Sequence, residues 1–299
     1  MEVRQLQVLR ELGELGSVRA VAEALLITPS AVSQQLQALQ RSVGVALTRR
    51  DGRTLALTEA GAALARAAVD VESALARAAE LADELAQTPR GTVTVAAFNS
   101  AARAFFPPLL TAFPAGGPVR VSLTDEDVEQ AAFAPLTAYY DVVVAHRFLH
   151  TPVWPPGVRV SRLLVEPLDV ALPAGHPLTR RRAISAAAAA RQPWIATHEG
   201  FPVGAIVDAL ATVAGHPVEV VHRVNEYTVA AELVRAGAGL ALLPRWTSPP
   251  PDGVVLRPLD GVRSARRIDA LVRPESVARA AVRSVLGELR ATGRRLAGG

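Results

Sequence analysis

The sequence predicts an α/β chain in three parts: a short helical module with a β-wing, one long linker helix, and a larger region of alternating strands and helices. Three observations predict it. Residues 17–39, SVRAVAEALLITPSAVSQQLQAL, read as two short helices across a tight turn. Residues 64–85 carry an apolar repeat spaced 4, 3, 4, 3, 4, 3. From Thr92 onward, short apolar runs alternate with helical patterns, as in parallel sheets covered by helices.

The first helix is marked by Val3, Leu6, Leu9 and Leu12 and ends at Gly13 and Gly16. Ser17 stands at the N-cap of the second, whose inward stripe is Val18, Val21, Ala22 and Leu25. Leu26–Thr28 form the turn, Thr28 caps the third helix, and Pro29 suits its first position because no amide is needed there. Val32, Leu36 and Leu39 then face inward. Thr28, Pro29, Ser30, Ser33, Gln34 and Gln37 are left outside. That face is polar and uncharged, and Ser and Gln can both donate and accept, as reading base edges in a DNA major groove requires. A solvated helical hairpin would show the same face, but residues 47–61, LTRRDGRTLALTEAG, tip the balance. Asp51-Gly52 is a hairpin turn signal flanked by Arg49, Arg50 and Arg53, with the strand Thr54–Leu57 behind it. A β-wing with arginines at its tip suits phosphate or minor-groove contact. The first part is therefore a winged helix-turn-helix over residues 1–58.

Thr58 and Glu59 open the long helix, 59–90. Its seam is Leu64, Ala68, Val71, Leu75, Ala78, Ala82 and Leu85. Residues 59–88 would span about 45 Å at 1.5 Å per residue. So narrow a stripe needs a partner, and a second copy of the chain in a homodimer is the expected one; the alternative is a helix lying on its own domain. Thr88-Pro89-Arg90-Gly91 serves as a hinge.

These 90 residues resemble the N-terminal part of LysR-type transcriptional regulators. The likeness is carried by SVRAVAEAL, TPSAVSQQLQAL, VGVALTRRDGRTLALTEAG and the helix after them. Two positions depart from that pattern. Thr48 stands where the family usually has an aromatic residue, and Gln40 where it often has an acidic one.

In the third part, strands are expected at Thr92–Ala97, Val119–Thr124, Asp141–Ala145, Leu168–Leu172, Trp194–Thr197, Val218–Val224, Leu240–Leu243 and Ile268–Val272. Helices are expected at Ala101–Phe113, Ile184–Ala190, Val203–Ala214, Thr228–Ala236 and Ser276–Thr292, the first kinked or late-starting at Pro107-Pro108. Ligands in such sheets bind beyond the carboxyl ends of strands. The residues there include Asn99, Ser100, Asp125, His146, Thr197, His198 and Asn225. Helix N-termini and arginines at such a site favour an anionic ligand. EPLDVALPAGHPL (166–178) and ELVRAGAGLALLP (232–244) resemble stretches of the LysR-family effector-binding domain, which is similar to periplasmic solute-binding proteins. The resemblance implies a two-lobed, periplasmic-binding-protein-like effector domain over 91–299. Subdomain I would be about 91–164 plus 267–299, and subdomain II about 165–266. It places a small-molecule cleft at Asn99, Ser100, Asp125, Thr197 and His198. It also implies double-stranded promoter DNA and RNA polymerase as partners, and a homotetramer built as a dimer of dimers.

Composition limits the alternatives. The 299 residues exceed one small core, and half are apolar, unlike an extended disordered chain. No apolar run approaches the roughly 18 residues of a membrane helix. The charged start MEVRQLQVLRELG has no signal-peptide core, so no membrane contact and a cytoplasmic location are expected. The absence of cysteine excludes disulfides, thiolate metal sites and thiol redox switching. The six histidines show no metal-ligand spacing, and no GxSxG or P-loop is present, so neither metal, cofactor nor catalysis is expected. Every basic side chain is arginine. Residues 1–58 hold seven arginines against five acids, and residues 91–299 twenty-two against seventeen. Net charge therefore supports DNA binding only weakly, and the placement of individual arginines says more. The competing reading is a cytosolic enzyme or small-molecule-binding protein whose helical N-terminal domain does not touch DNA.

Overall fold

The structure, a computed structural model, describes residues 1–51, 54–85, 89–149, 151–198 and 203–298. The N-terminal module comprises α1 (Val3–Leu15), α2 (Val18–Ala24), α3 (Pro29–Val43) and the antiparallel ribbon β1 (Thr48–Asp51) and β2 (Thr54–Leu57). The caps are side-chain oxygens on free first-turn amides: Ser17 Oγ accepts from the Ala20 amide at 3.1 Å, and Thr28 Oγ1 from the Ala31 amide at 3.2 Å. Leu26, in the turn between α2 and α3, has φ of 52° and is 93% exposed. Leu6, Leu9, Leu12, Val21, Ala22, Val32, Leu36, Leu39 and Leu47 form one buried core. Val3 stands outside it, exposed, and Val8 is buried instead.

The two departures from the family pattern meet each other. Gln40 Oε1 accepts from the Leu47 amide at 2.8 Å, the Thr48 amide at 3.1 Å and the Thr48 hydroxyl at 3.3 Å. One side chain thus staples the end of α3 to the start of the wing, and Gln suits this because a carbonyl oxygen accepts several donors.

Next in the chain is α4 (Glu59–Leu85). A Cβ added at Gly61 would lie 2.0 Å from the Leu47 carbonyl oxygen, so only glycine lets the helix start this close to the wing. The apolar seam divides. Leu64 and Ala68 pack into the core of their own module, whereas Val71 and Leu75 are exposed. The side chains of Ala82 and Leu85 lie outside the described residues.

The C-terminal region begins with β3 (Gly91–Ala97), α5 (Asn99–Ala112), β4 (Val119–Asp125), α6 (Gln130–Phe133), β5 (Val142–Phe148) and β6 (Arg159–Pro173). It continues with β7 (Ile184–Ser185), α7 (Ala186–Ala189), β8 (Trp194–Ala196), α8 (Gly204–Ala214), β9 (Val220–Arg223) and α9 (Tyr227–Arg235). It ends with β10 (Ala241–Pro244), β11 (Val254–Arg257), β12 (Leu259–Asp260), β13 (Ala265–Val272) and α10 (Ala280–Leu296). The main sheet has the order β10-β6-β13-β5-β3-β4, with β11 also on β6. β3 is parallel to β4 and β5, but β13 is antiparallel to β5 and β6, and β6 to β10 and β11. The sheet is therefore mixed, not parallel throughout. α5 runs through both prolines, and Ile184–Ser185 is a strand paired with β12 rather than the start of a helix. β7, β11, β12 and the first half of β6 were not expected from the sequence pattern.

One core lies between the β3–β4–β5–β13 surface and helices α5 and α10, centred on Val95, Phe105, Val143, Ala270 and Val285. A second, around Leu168, Trp194, Val207, Leu210 and Leu242, builds the other lobe. The long strand β6 contributes to both cores, Leu163 and Leu164 to the first and Leu168, Val170 and Leu172 to the second, and the space between the cores opens at the ends of β3, β8 and β9.

Candidate functional site

Two surfaces carry candidate chemistry. The first is the outer face of α3. Thr28, Pro29, Ser30, Gln34 and Gln37 are exposed and Ser33 is half-buried. Positions 30, 33, 34 and 37 share one helical face. Ser33 Oγ donates to the Pro29 carbonyl at 3.0 Å, and the Thr28 and Ser30 hydroxyls are 3.0 Å apart. α3 contains no acidic residue, so nothing on it repels phosphate. Arg49 and Arg50 are exposed on β1, and as consecutive strand residues they point to opposite faces of the ribbon. Arg53 lies outside the described residues.

The second is a cavity of about 60 Å³ between the lobes. One water needs roughly 10–15 Å³ of such space, so the cavity suits a small molecule. It is lined by Asn99 and Ser100 from the start of α5, His146 from β5, Thr197 beyond β8, and Asn225 beyond β9. Five of the seven residues expected at a ligand site thus come together. Asp125 and His198 do not line it: both are exposed, and the His198 amide donates to Asn225 Oδ1 at 2.9 Å. Glu226 and Tyr227, next to Asn225 after the same strand, also line it, as do Arg266, Asp127 and Glu129, which sequence reasoning missed.

Arg266 forms the floor. It is 1% exposed and bonded to Glu166, which is fully buried. Nε and Nη2 donate to Glu166 Oε2 at 3.0 and 2.8 Å, and Nη2 also reaches the Ser100 and Thr247 hydroxyls at 2.8 Å. Glu166 Oε1 accepts from the Trp246 and Thr247 amides at 2.9 and 2.7 Å. The guanidinium stacks between Phe98 and Tyr227, 4.9 and 5.6 Å from their ring centres. No local pattern in the sequence announces a pair one hundred residues apart.

His146 sits in an aromatic cage, 4.6 Å from the Phe98 ring centre and 5.5 Å from that of Phe133. Burial and then the nearby Arg266 charge push its pKa down to about 3, so the ring is neutral. Its Nδ1 and the Thr197 Oγ1 are buried without a hydrogen-bond partner among the described residues. At the mouth, burial alone would raise the Glu226 carboxyl. Bonds from the Thr228 hydroxyl and the Val229 amide outweigh it and hold the carboxyl below its usual range.

The charges argue against the anion expected from the sequence. The one guanidinium lining the cavity is matched by Glu166, while Asp127, Glu129 and Glu226 add three carboxylates among the described lining residues.

Comparison with known proteins settles what the two surfaces belong to. Residues 3–62 match the model of the bacterial regulatory helix-turn-helix protein, lysR family, and residues 86–294 match the LysR substrate binding domain. The chain belongs to the LysR family. It is a transcriptional regulator with a DNA-binding helix-turn-helix and an effector-binding domain. It is similar to the HTH-type transcriptional regulator AlsR of Bacillus subtilis, 27% identical over 82% of this chain and 80% of that protein. It is 30% identical to the HTH-type transcriptional regulator TtuA of Agrobacterium vitis, over 83% of this chain and 82% of that one. Its fold matches full-length CbnR complexed with its target DNA, with a TM-score of 0.52, 24% identity and coverage of 98% and 100% of the two chains. No helix among the described residues is long and apolar enough to cross a membrane.

Proposed function

We propose that this LysR-type regulator binds double-stranded promoter DNA through α3. Thr28, Pro29, Ser30, Ser33, Gln34 and Gln37 face the major groove, and Arg49, Arg50 and Arg53 of the wing contact the backbone or minor groove. The observation that carries this reading is the uncharged, exposed α3 face, capped by Thr28, beside an arginine-bearing ribbon. The module ends near residue 58, and α4, to about residue 90, pairs with its copy through the exposed part of its seam, Val71 and Leu75. Two such dimers form the tetramer. The protein works in the cytoplasm, and DNA bending and contact with RNA polymerase are its outputs.

The effector sits between the lobes, against Asn99, Ser100, His146, Thr197, Asn225 and Arg266. It is a small, uncharged or cationic molecule able to satisfy the Thr197 hydroxyl and His146 Nδ1. The site binds rather than catalyses: among the described residues no hydroxyl of the cavity is hydrogen-bonded to His146, so no nucleophile–base couple exists. Effector binding closes the lobes and re-angles the α4 helices, changing half-site spacing.

Footprinting on DNA from the protein's own promoter region tests the reading, with a truncation lacking residues 1–90 in parallel. A two-fold-spaced protected site lost in the truncation supports it. No protection at low salt, where phosphate contacts are strongest, overturns it.

A further inference from the structure

The first helix has a second buried face that its own module does not cover. Arg10 and Glu11 are 2% and 1% exposed. What covers them is the segment just beyond β13, more than 250 residues away in sequence. Arg10 Nη1 donates to Glu72 of α4 and to Glu275 Oε1 at 2.5 Å, and its Nε to Glu14 Oε1 at 3.0 Å. Arg273 is 8% exposed. It grips both oxygens of Glu11, with Nη2 at 2.7 Å from Oε2, and Nη2 also reaches Glu14 at 2.7 Å. Nearby, the Tyr139 hydroxyl donates to the Ala20 carbonyl of α2 at 3.4 Å. Two guanidiniums and four carboxylates, from the DNA-reading module, α4 and the effector-binding domain, therefore meet at one junction.

The junction is built to hold an orientation and to let it go. Burying ions is expensive, and apolar packing would join two modules as firmly without it. The closed state is also incompletely satisfied. Arg10 Nη2, Glu72 Oε1, Arg273 Nε and Glu275 Oε2 are buried with no hydrogen-bond partner among the described residues. Carboxylates outnumber guanidiniums, and a cavity of about 380 Å³ bordered by Glu72, Arg273 and Glu275 leaves room for the groups to part.

We propose that Arg273 with Glu11 and Arg10 with Glu275 form a releasable clasp that docks the DNA-reading module on the effector-binding domain of the same chain. It deepens the regulator reading and rests on it, because it supplies a contact through which cleft and DNA module sense each other. Arg273 directly follows β13, the strand that carries Arg266 into the cleft. Displacement of that strand is delivered to α1 through Glu11.

Because the chain has no cysteine, two introduced thiols give unique label sites. Arg19→Cys on α2 uses a side chain that is 87% exposed, and Val153→Cys on the effector-binding domain one that is 76% exposed. The distance between spin labels is measured in the full chain, diluted with unlabelled protein so that each oligomer carries one labelled copy. The expected result is a narrow distribution in the otherwise unchanged protein, and a broader, shifted one in R273Q and in E11R. The charge swap E11R/R273E should be narrow again. If R273Q does not fold, E275Q and the swap carry the test. An R273Q or E275Q distribution that overlays the starting one overturns the clasp, as does a swap as broad as E11R alone. The measurement needs no DNA, so a failed footprint removes the DNA reading and leaves these distances standing.

Discussion

Arg266 lies at the cleft end of β13, and Arg273 follows the strand's other end. Seven positions separate them, about 23 Å at ~3.3 Å per residue. The first is locked to Glu166 and the second to Glu11. A strand hydrogen-bonded to a neighbour on both sides is a stiff element, and here it has a charged anchor at each end. The cleft and the DNA-reading module are thus joined by one continuous piece of backbone as well as by α4.

The cleft anchor is predicted to be structurally indispensable. Glu166→Ala leaves the buried Arg266 charge with only hydroxyl partners, and breaking a buried pair this way costs about 3–5 kcal/mol. Denaturant unfolding should show that loss. Glu166→Ala as stable as the starting protein would mean that water or another carboxylate reaches Arg266.

On the DNA side, Ser33→Ala and Gln34→Ala should weaken specific binding by about 1–3 kcal/mol each and leave non-specific binding nearly unchanged. Arg50→Ala should weaken both and lower the salt slope by about one. Titrations of operator and scrambled duplexes over a range of salt separate the two effects. Equal losses on both duplexes for Ser33→Ala and Gln34→Ala would place α3 outside the groove.

The wing depends on one amide side chain. Gln40→Ala removes the acceptor for the Leu47 and Thr48 amides. Leaving buried donors unsatisfied costs about 1–3 kcal/mol. Hydrogen exchange at Leu47 and Thr48 should rise while that of the α1 interior stays put.

These predictions draw unequally on what could be read in the sequence. Ser17, Thr28 and Pro29 announce α2 and α3 because capping is local chemistry, and the arginine-flanked Asp51-Gly52 announces the ribbon. Asn99, Ser100, His146, Thr197 and Asn225 were legible because strand ends in α/β sheets are where ligands bind. Glu166 and Arg266 were not, since each alone is an ordinary strand charge and only the pairing of β6 with β13 brings them together. The same holds for Arg10 and Glu11: helical periodicity puts them on the outer face of α1, and the surface that covers them belongs to a distant segment. The direction of β13 was hidden too, because alternation of strands and helices says nothing about a strand that returns antiparallel.

The clasp makes a prediction with a definite sign in pH. Burial, ahead of the opposing Arg10 charge, holds the Glu72 carboxyl above its usual range. A carboxyl whose folded-state pKa is raised stabilises the fold when protonated and destabilises it when ionised. Glu72→Gln keeps an acceptor for Arg10 without the charge. It should therefore be more stable than the starting protein above that raised pKa, and the advantage should shrink as pH falls through it. Thermal melts of both proteins at several pH values check this. An advantage that grows on acidification would show that Glu72 is held ionised.

His146 gives the opposite slope. Its pKa of about 3 in the fold lies below the ordinary value of 6.5, because burial and Arg266 disfavour the imidazolium. Below about pH 6.5 the unfolded chain binds a proton that the native state refuses. The stability contributed by a neutral His146 is complete above that pH and is lost progressively as pH falls toward 3. One proton corresponds to about 1.4 kcal/mol per pH unit. His146→Gln fills a similar space with a group that does not titrate. Its unfolding free energy should fall less steeply between pH 6 and 4, by up to that slope. The contribution of His146 to effector affinity should not change with pH across the same range, since the ring is neutral throughout. Parallel stability curves for the two proteins would mean that the ring takes up its proton inside the cage, with the lobes parting to let it.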